Sequence, residues 1–554
     1  MRARGAIALV AALLLLPATA TAGGGYRSDE AGGIGAARAT AAADRDPKVV
    51  EQRREHPGLT SSADLVDGRW EVGYLAEGEL AALVLVDPLT GEVRESWTGD
   101  QVAWKMARGY SGAFGHKLNA PYVFLPLCAI FLIGLLDWRR PLRVASLDLL
   151  VLLGFGVSHV FFNRAEIGVS VPLVYPPLLY LFGRAIWIGI RGRGEALRPV
   201  WPATWLLVAA LFLVGVRVGL NLADSGAIDV GYASVVGADR IGHGEQLYDN
   251  FPDDVSQGDT YGPVNYWAYV PGEAVWPWSG SWNDLPAAHA AAVLFDLVTF
   301  ALLFLLGRRI RPGPAGHRVA ATLAFGWAAF PYTAYVLESN SNDALVSLLL
   351  IATLLLLSRP GFRGGLASLA VFTKFAPILL VPMLATYSPS AGGTDDRGVE
   401  DSSASSGSRS SATGPAVVGF VLAFIGVSIA VMLWPALDPG LGTFYERTIS
   451  YQADRDSPFS IWGQVSGLEP LRIAIAAGVA TLAIAFAFRP RDKSLTQLAA
   501  LGASLLIGAQ LVAEHWFYLY LVWFYPLLLV AVATLGEGGG MPPRPADTQS
   551  RPTN

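Results

Sequence analysis

Ile228-Asp229-Val230-Gly231-Tyr232 and, further on, Asp259-Thr260-Tyr261-Gly262-Pro263 lie in a polar segment, residues 223–285, between two long apolar runs. The segment contains ten acidic residues and a single basic one, Arg240. Extracytoplasmic loops of membrane proteins are poor in lysine and arginine, so acidity alone indicates a solvated loop on that side. The aromatic residues and the order of the motifs favour a second interpretation, in which the loop carries a catalytic base, a metal ion or both.

The composition of the whole chain is that of a polytopic membrane protein. Its 554 residues are 53% apolar and 15% charged, with a mean hydropathy of +0.41. The net charge of −5 and the lack of a long basic block predict no nucleic-acid partner. Cys128 is the single cysteine, which excludes intrachain disulfides and cysteine-based metal sites.

Apolar runs of about membrane-spanning length follow one another on both sides of the acidic segment. They predict a mainly α polytopic membrane protein with about 11–12 transmembrane helices. An N-terminal group lies in 120–198, and the remainder lie in 199–535. The predicted spans are 120–137, 146–163, 168–190, 202–222, 286–307, 318–337, 342–358, 364–386, 415–434, 471–488, 494–513 and 516–535.

Arginine-rich short loops set the predicted orientation, because basic residues are retained in the cytoplasm. These loops contain Arg139, Arg140 and Arg143; Arg191, Arg193 and Arg198; Arg308, Arg309 and Arg311; Arg359 and Arg363; and Arg489, Arg491 and Lys493. With the N-terminus outside, all of them lie inside if one apolar segment fails to cross. Lys374 and Pro377 interrupt 364–386, so we predict a re-entrant pair of half-helices there. The alternative is an ordinary span whose lysine reaches the interface.

This topology makes the Ser- and Gly-rich segment 387–414 a disordered cytoplasmic linker and 536–554 a disordered cytoplasmic tail. It also assigns a common set of polar segments to the outer face. These are 223–285, 338–342, 435–470 and 513–516. Since the polar residues of the membrane region gather there, the sequence predicts one composite outer-face site.

The N-terminal part of the sequence predicts an export signal followed by a small extracytoplasmic α+β domain. Residues 1–22 have a signal-peptide pattern, to be cleaved after Ala22 or kept as an anchor, and 23–45 are predicted to be disordered. In 46–98, Asp46-Pro47 opens a helix, and alternating runs around the turn Asp87-Pro88-Leu89-Thr90-Gly91 predict strands. This unit resembles a PepSY-type domain, which implies a binding or regulatory role.

Three elements of the acidic loop have a characteristic order. Asp229 lies just beyond a predicted span, Gly244-Glu245-Gln246-Leu247-Tyr248 follows, and Tyr261-Gly262-Pro263 opens a helix. The order resembles the GT-C membrane glycosyltransferases, especially the polyprenol-phosphate-mannose-dependent mannosyltransferases, which usually have Tyr-Pro-Pro in the last element. Downstream, Thr373-Lys374-Phe375-Ala376-Pro377 and Phe444-Tyr445-Glu446-Arg447 agree with it. The resemblance covers 200–535.

Transfer of a sugar from a lipid phosphate needs a base for the acceptor hydroxyl and a group that stabilises the phosphate. Asp229, close to the membrane surface, is the candidate base. The candidates for donor-phosphate binding are Arg447, Arg455, His515 and Lys374; contact with lipid headgroups is the alternative role. The candidates for substrate binding are Glu245, Tyr248, Asp259, Tyr261, Asn342 and Gln452.

A metal ion has one weak candidate site. Asp454-Arg455-Asp456 has the acid-x-acid spacing of metal-dependent transferases, but the arginine between the acids disfavours a metal. We therefore expect no cofactor.

The sequence thus predicts a membrane glycosyltransferase that moves a mannose-like hexose from a polyprenyl-phosphate donor to an envelope lipid or glycan on the extracytoplasmic face of the plasma membrane. One alternative is a transporter or flippase, whose path Asp148, Asp296 and Lys374 would mark. The other alternative is a non-catalytic envelope sensor built around the PepSY-like unit.

Overall fold

The computed structural model describes residues 33–66, 68–76, 79–98, 102, 115–252, 255–388, 409–453 and 457–535. The chain divides into two compact units, the first ending at Arg108 and the second beginning at Gly109. The predicted signal peptide and tail, together with 389–408 of the predicted linker, lie outside the described residues.

The first unit packs two helices against an antiparallel sheet. The helices are α1 (Ala36–Ala43) and α2 (Pro47–Glu55). The strands are β1 (Thr60–Val66), β2 (Arg69–Ala76), β3 (Glu79–Val86) and β4 (Val93–Thr98), in the spatial order β1-β2-β3-β4. The side chain of Asp46 accepts a hydrogen bond from the N–H of Lys48 at 2.9 Å, which caps α2 as the sequence predicts.

Alternating residues of β2 and β3 form the core of this unit. Val72, Tyr74, Val84 and Val86 are fully buried with Ala39 and Ala43 of α1 and Val49 of α2. The disorder predicted for 23–45 is therefore wrong over α1, because its small alanines form helix readily and pack closely on the sheet. Strand β1 was not predicted, since its exposed, serine-containing sequence has no apolar alternation.

In its described residues, the second unit is built of helices joined by loops. Its longer helices are α3 (Pro121–Leu135), α4 (Val144–Phe162), α5 (Tyr175–Arg191), α6 (Ala203–Asp224), α7 (Asp229–His243), α8 (Pro286–Ile310), α9 (Gly313–Ala329), α10 (Pro331–Glu338), α11 (Asp343–Leu355), α12 (Pro360–Val371), α13 (Arg409–Leu437), α14 (Glu469–Phe488), α15 (Leu495–Val512) and α16 (Leu521–Thr534). Short helical turns are His116–Asn119, Ile167–Ser170, Pro172–Val174, Pro263–Trp267, Val270–Glu273, Ala376–Leu380, Val381–Ala385, Leu441–Tyr445, Glu446–Ser450, Tyr451–Ala453, Ile461–Gln464 and Tyr518–Tyr520.

Among the described residues, seven helices are long and apolar enough to cross a membrane. They are Val144–Phe162, Ile167–Arg191, Ala203–Asp224, Pro286–Ile310, Gly414–Leu437, Glu469–Phe488 and Leu495–Val512. The pair α9 and α10, bent by 54°, would make an eighth. The chain is thus a mainly α protein whose helices suit a multi-pass membrane protein.

The remaining predicted spans are shorter or broken helices. The span predicted at 318–337 is bent between Ala329 and Pro331, where proline lacks the N–H that a straight helix needs. The break predicted around Lys374 is present: α12 ends at Val371, and a 3₁₀ turn begins only at Ala376. This break brings Lys374 to the candidate site described below.

Candidate functional site

The segments assigned by sequence to one face meet in the folded chain. The N–H of Ile228 donates to the carbonyl of Ser339 at 3.0 Å, which joins 223–285 to 338–342. Arg447 binds Asp259, which joins 223–285 to 435–470. We call the described residues of 223–285, 338–342, 435–470 and 513–516 the polar cap.

The last connection in the polar cap is made by His515. Its Nδ1 lies 2.9 Å from the hydroxyl of Ser457, and the N–H of Trp516 donates to the carbonyl of Phe459 at 3.3 Å. His515 also packs edge-on against the ring of Phe459. His515, which the sequence predicts to bind phosphate, is only 8% exposed. Its imidazole instead fixes the path of the 457–459 segment.

Asp229 is the first residue of α7, and four residues separate it from the end of α6. A carboxylate at a helix N-terminus is stabilised by the partial positive charge there. Its Oδ1 accepts from the N–H of Val230 at 2.9 Å, and the residue is half-buried. A Cβ at Gly231 would lie 2.3 Å from the carbonyl oxygen of Asn340, so glycine lets this end of α7 approach the 338–342 segment.

The first turns of α7 also lie against the Asp259 turn. Ala233 is one helical turn beyond Asp229 on the same face of the helix. A Cβ placed on Gly258 would be 2.9 Å from the Cβ of Ala233, so the Gly258 backbone is packed on this face. The turn that carries Asp259 therefore packs against α7 about one helical turn from the candidate base.

Asp259, which is buried, and Arg447, which is partly exposed, form a two-pronged ion pair. Nε of Arg447 lies 2.7 Å from Oδ2 of Asp259, and Nη2 lies 2.8 Å from Oδ1. Nη2 also donates to the carbonyl of Ser256, and the N–H of Asp249 donates to Oδ2 of Asp259 at 2.7 Å. The hydrogen bonds to Asp259 raise the pKa of Arg447. Asp259, fully buried, thus orients the guanidinium that the sequence assigns to a donor phosphate.

The predicted substrate residues around Asp259 mainly hold the loop in place. The hydroxyl of Tyr248 donates to the carbonyl of Tyr261 at 2.9 Å, and its ring packs on Tyr266 and Phe444. Burial raises the pKa of Tyr248 well above its ordinary value. The amide of Gln452 donates to the hydroxyl of Thr260. Tyr248 and Gln452 therefore connect the two large loops of the polar cap.

The Tyr261-Gly262-Pro263 turn packs against the C-terminal end of α12. The N–H of Val264 donates to the carbonyl of Phe372 at 3.1 Å. A Cβ on Gly262 would lie 2.0 Å from that carbonyl oxygen and 2.5 Å from its carbon, so the side chain of any other residue would force the segments apart. This contact is a physical reason for glycine at a position where the GT-C pattern usually has proline.

Gly262→Ala is expected to destabilise the fold by about 1–3 kcal/mol, as overpacking of a tight contact does. The measurement is the thermal unfolding midpoint of the full chain in detergent. Gly442→Ala is the matched control, since no atom lies within 4 Å of a Cβ built there. Equal midpoints for the two variants would contradict the close contact at Gly262.

Lys374 is 6% exposed and paired with an acid that the sequence did not single out. Its Nζ lies 2.6 Å from Oδ1 of Asp343, which also accepts from Nε1 of Trp523 at 2.8 Å. The hydroxyl of Ser341 donates to Oδ2 of Asp343 at 2.8 Å. The ammonium of Lys374 lies 5.1 Å from the ring centre of Tyr261, so it contacts the polar cap through this ring.

Two other predicted substrate residues lie apart from this pair. Asn342 is fully buried, and its Nδ2 lies 3.4 Å from the hydroxyl of Ser234 on α7. Glu245 forms a surface ion pair with Arg240. The structure therefore brings Asn342 toward the helix that carries Asp229 and leaves Glu245 at the rim.

Glu338 and Asp343 belong to a run that agrees with the GT-C resemblance, but the sequence analysis did not select them as site residues. Glu338 is fully buried, and in the described part of the chain neither of its carboxyl oxygens has a hydrogen-bond partner. The available signal was the unbroken polar run 338–343 between two apolar segments. A polar run of that length at a helix junction indicates internal contacts that no lipid can supply.

The predicted metal candidates, Asp454 and Asp456, and the phosphate candidate between them, Arg455, lie outside the described residues. Within the described ranges, no group of three histidine, cysteine, aspartate or glutamate side chains is arranged to hold a metal ion.

No protein-family model matches the chain, and no curated protein is significantly similar to it. The function is therefore inferred from the residues of the polar cap.

Proposed function

We propose that the chain is a membrane glycosyltransferase of GT-C type. It transfers a mannose-like hexose from a polyprenyl phosphate to a lipid or glycan acceptor on the extracytoplasmic face. In the reaction the acceptor oxygen bonds to the anomeric carbon, the bond from that carbon to the phosphate oxygen breaks, and Asp229 takes the hydroxyl proton.

The observation that supports this proposal most is the packing of the loop that holds the Asp259–Arg447 pair against the helix that begins with Asp229. Asp229 starts α7 at the end of α6, and the Gly258 backbone beside Asp259 packs one turn further along α7. Asp259 holds Arg447 through two hydrogen bonds. Base and phosphate-stabilising group are the two requirements of transfer from a lipid phosphate.

Arg447 is the best of the phosphate candidates because one side of its guanidinium is still available. Nε and Nη2 are engaged by Asp259, while among the described residues the carboxylate nearest to Nη1 is the exposed one of Asp249, at 3.9 Å. Lys374 is buried against Asp343, and His515 lies against Ser457. The proposal therefore assigns the donor phosphate to Arg447 and gives Lys374 and His515 supporting roles.

The charged residues inside the helices favour the transferase over the transporter. Asp148 lies 3.0 Å from Arg184, and Asp296 is paired with Arg217. Lys374 is paired with Asp343. Each charge that would mark a transport path thus has a fixed partner of opposite sign, which supports a structural role.

The N-terminal unit is assigned a binding or regulatory role as a PepSY-like domain. Its support is the helix α2 followed by an antiparallel sheet that contains the predicted β2-β3 hairpin and β4; the additional helix α1 and strand β1 were not part of the prediction. The chemistry of transfer is placed in the second unit alone.

The proposed activity is tested by incubating membranes that contain the full chain with a panel of radiolabelled polyprenyl-phosphate sugars. We expect label in an envelope lipid or glycan fraction. A protein that is inert toward every donor, yet moves lipid or solute across vesicles, would be a transporter.

The proposed orientation makes a separate prediction for cysteine labelling in a Cys128→Ala background. A cysteine at Asp492, or at a position in 390–410, should react only from the cytoplasm. A cysteine at Asn283, an exposed residue of the polar cap, should react only from outside. Labelling of 390–410 from outside would make 364–386 a true span rather than a re-entrant segment.

A further inference from the structure

Arg363, in the first turns of α12, is a buried cation with unused donors. The residue is 2% exposed. Its Nη1 donates to the carbonyl of Leu357 at 2.7 Å, whereas Nε and Nη2 have no hydrogen-bond partner among the described residues. Arginine keeps its proton under all physiological conditions, so this charge cannot be removed by titration.

The neighbours of the guanidinium are aromatic rather than acidic. Its carbon lies 5.4 Å from the ring centre of Tyr387 and 5.6 Å from that of Phe420. Among the described residues, the buried basic side chains of Arg217 and Lys374 each have a carboxylate partner, whereas Lys493, 1% exposed, donates to the carbonyl of Ala487 at 3.4 Å. Cation–π contacts compensate a buried charge only in part. The buried charge of Arg363 therefore still requires an anionic partner.

The two nitrogens without partners, Nε and Nη2, form the edge of the guanidinium that commonly binds an oxyanion. Nε–H and Nη2–H are parallel donors and bind two oxygens of one phosphate or carboxylate side-on. Leu357 precedes α12, so the bond from Nη1 holds the guanidinium near the N-terminal end of this helix. Pro360 has no N–H and the N–H of Arg363 donates to the carbonyl of Arg359, so the guanidinium itself supplies most of the attraction for an anion. Arg359 adds an exposed positive charge at the same end.

We propose that Arg363 is the anchor of a phosphate-binding site at the N-terminal end of α12. The site is separate from the polar cap and independent of the proposed transfer reaction. The arginine loop that contains it is predicted to be cytoplasmic, where phosphate is offered by lipid headgroups and by free phosphate. The half-buried ring of Tyr387 covers the guanidinium and has to turn aside for the anion to enter.

The test is native mass spectrometry of the full chain, delipidated in a neutral detergent. The probes are phosphatidic acid, diacylglycerol with the same acyl chains, and inorganic phosphate. We expect one phosphatidic acid bound per chain and no diacylglycerol. Arg363→Lys keeps the buried charge but loses the two-pronged grip, so it should weaken binding about tenfold or more.

Arg359→Gln is the matched control, because it removes an exposed charge from the same helix end and should weaken binding only slightly. Binding of inorganic phosphate as tight as that of the lipid would assign the site to free phosphate. No phosphate bound by the wild-type chain would overturn the proposal. So would an Arg359→Gln loss equal to that of a monodisperse Arg363→Lys protein.

Discussion

Asp229→Asn is expected to lower the rate of sugar transfer by about 100- to 10,000-fold, the usual contribution of a positioned acid–base group. Asparagine keeps the size of the side chain and can still accept from the N–H of Val230, as Asp229 does at 2.9 Å. The variant should therefore fold normally and bind the donor nearly as well as wild type. The measurement is turnover with polyprenyl-phosphate sugar, with donor binding determined separately.

Two variants of other acids show whether the loss of turnover is specific to Asp229. Asp239→Asn, on the same helix and 3.3 Å from His243, should change turnover little. Asp259→Asn removes a carboxylate that holds Arg447, so we expect a smaller loss than for Asp229→Asn, expressed partly as weaker donor binding. Near-normal turnover by Asp229→Asn would remove this residue from the mechanism.

The sequence predicted helix positions well because hydropathy depends on local composition. Helix α6, for example, covers 203–224 where a span was predicted at 202–222. The break at Lys374 was also predictable, since a charge and a proline within an apolar run disrupt a helix whatever its neighbours are. Helix α1 was missed because its Gly- and Ala-rich surroundings have the composition of a disordered segment.

The pairing of charges could not be predicted in the same way. Arg447 and Asp259 are 188 residues apart in sequence, and Lys374 and Asp343 are 31 apart. Which acid meets which base depends on how helices pack, so a sequence identifies the candidates and leaves their partners open. Tyr248 illustrates the same point: the motif marks it for a substrate, while the packing of the loop buries its hydroxyl against a backbone carbonyl.

The buried pair of Lys374 and Asp343 should have a large effect on stability when only one partner is removed. Lys374→Met fills similar space but leaves the fully buried carboxylate of Asp343 without its cation. Breaking a buried ion pair in this way destabilises a protein by about 3–5 kcal/mol. The measurement is the free energy of unfolding in mixed detergent micelles with increasing SDS.

The double variant Lys374→Met/Asp343→Asn separates a lost charge balance from lost packing. Asparagine can still accept from Nε1 of Trp523, now 2.8 Å from Asp343, and it carries no charge. The double variant should therefore recover most of the stability that Lys374→Met loses. Lys117→Met is the control: its partner Asp224 lies 3.7 Å away at the surface, so the expected loss is about 0–1 kcal/mol. Additive losses in the double variant would mean that Lys374 stabilises the helix break through packing, not through its charge.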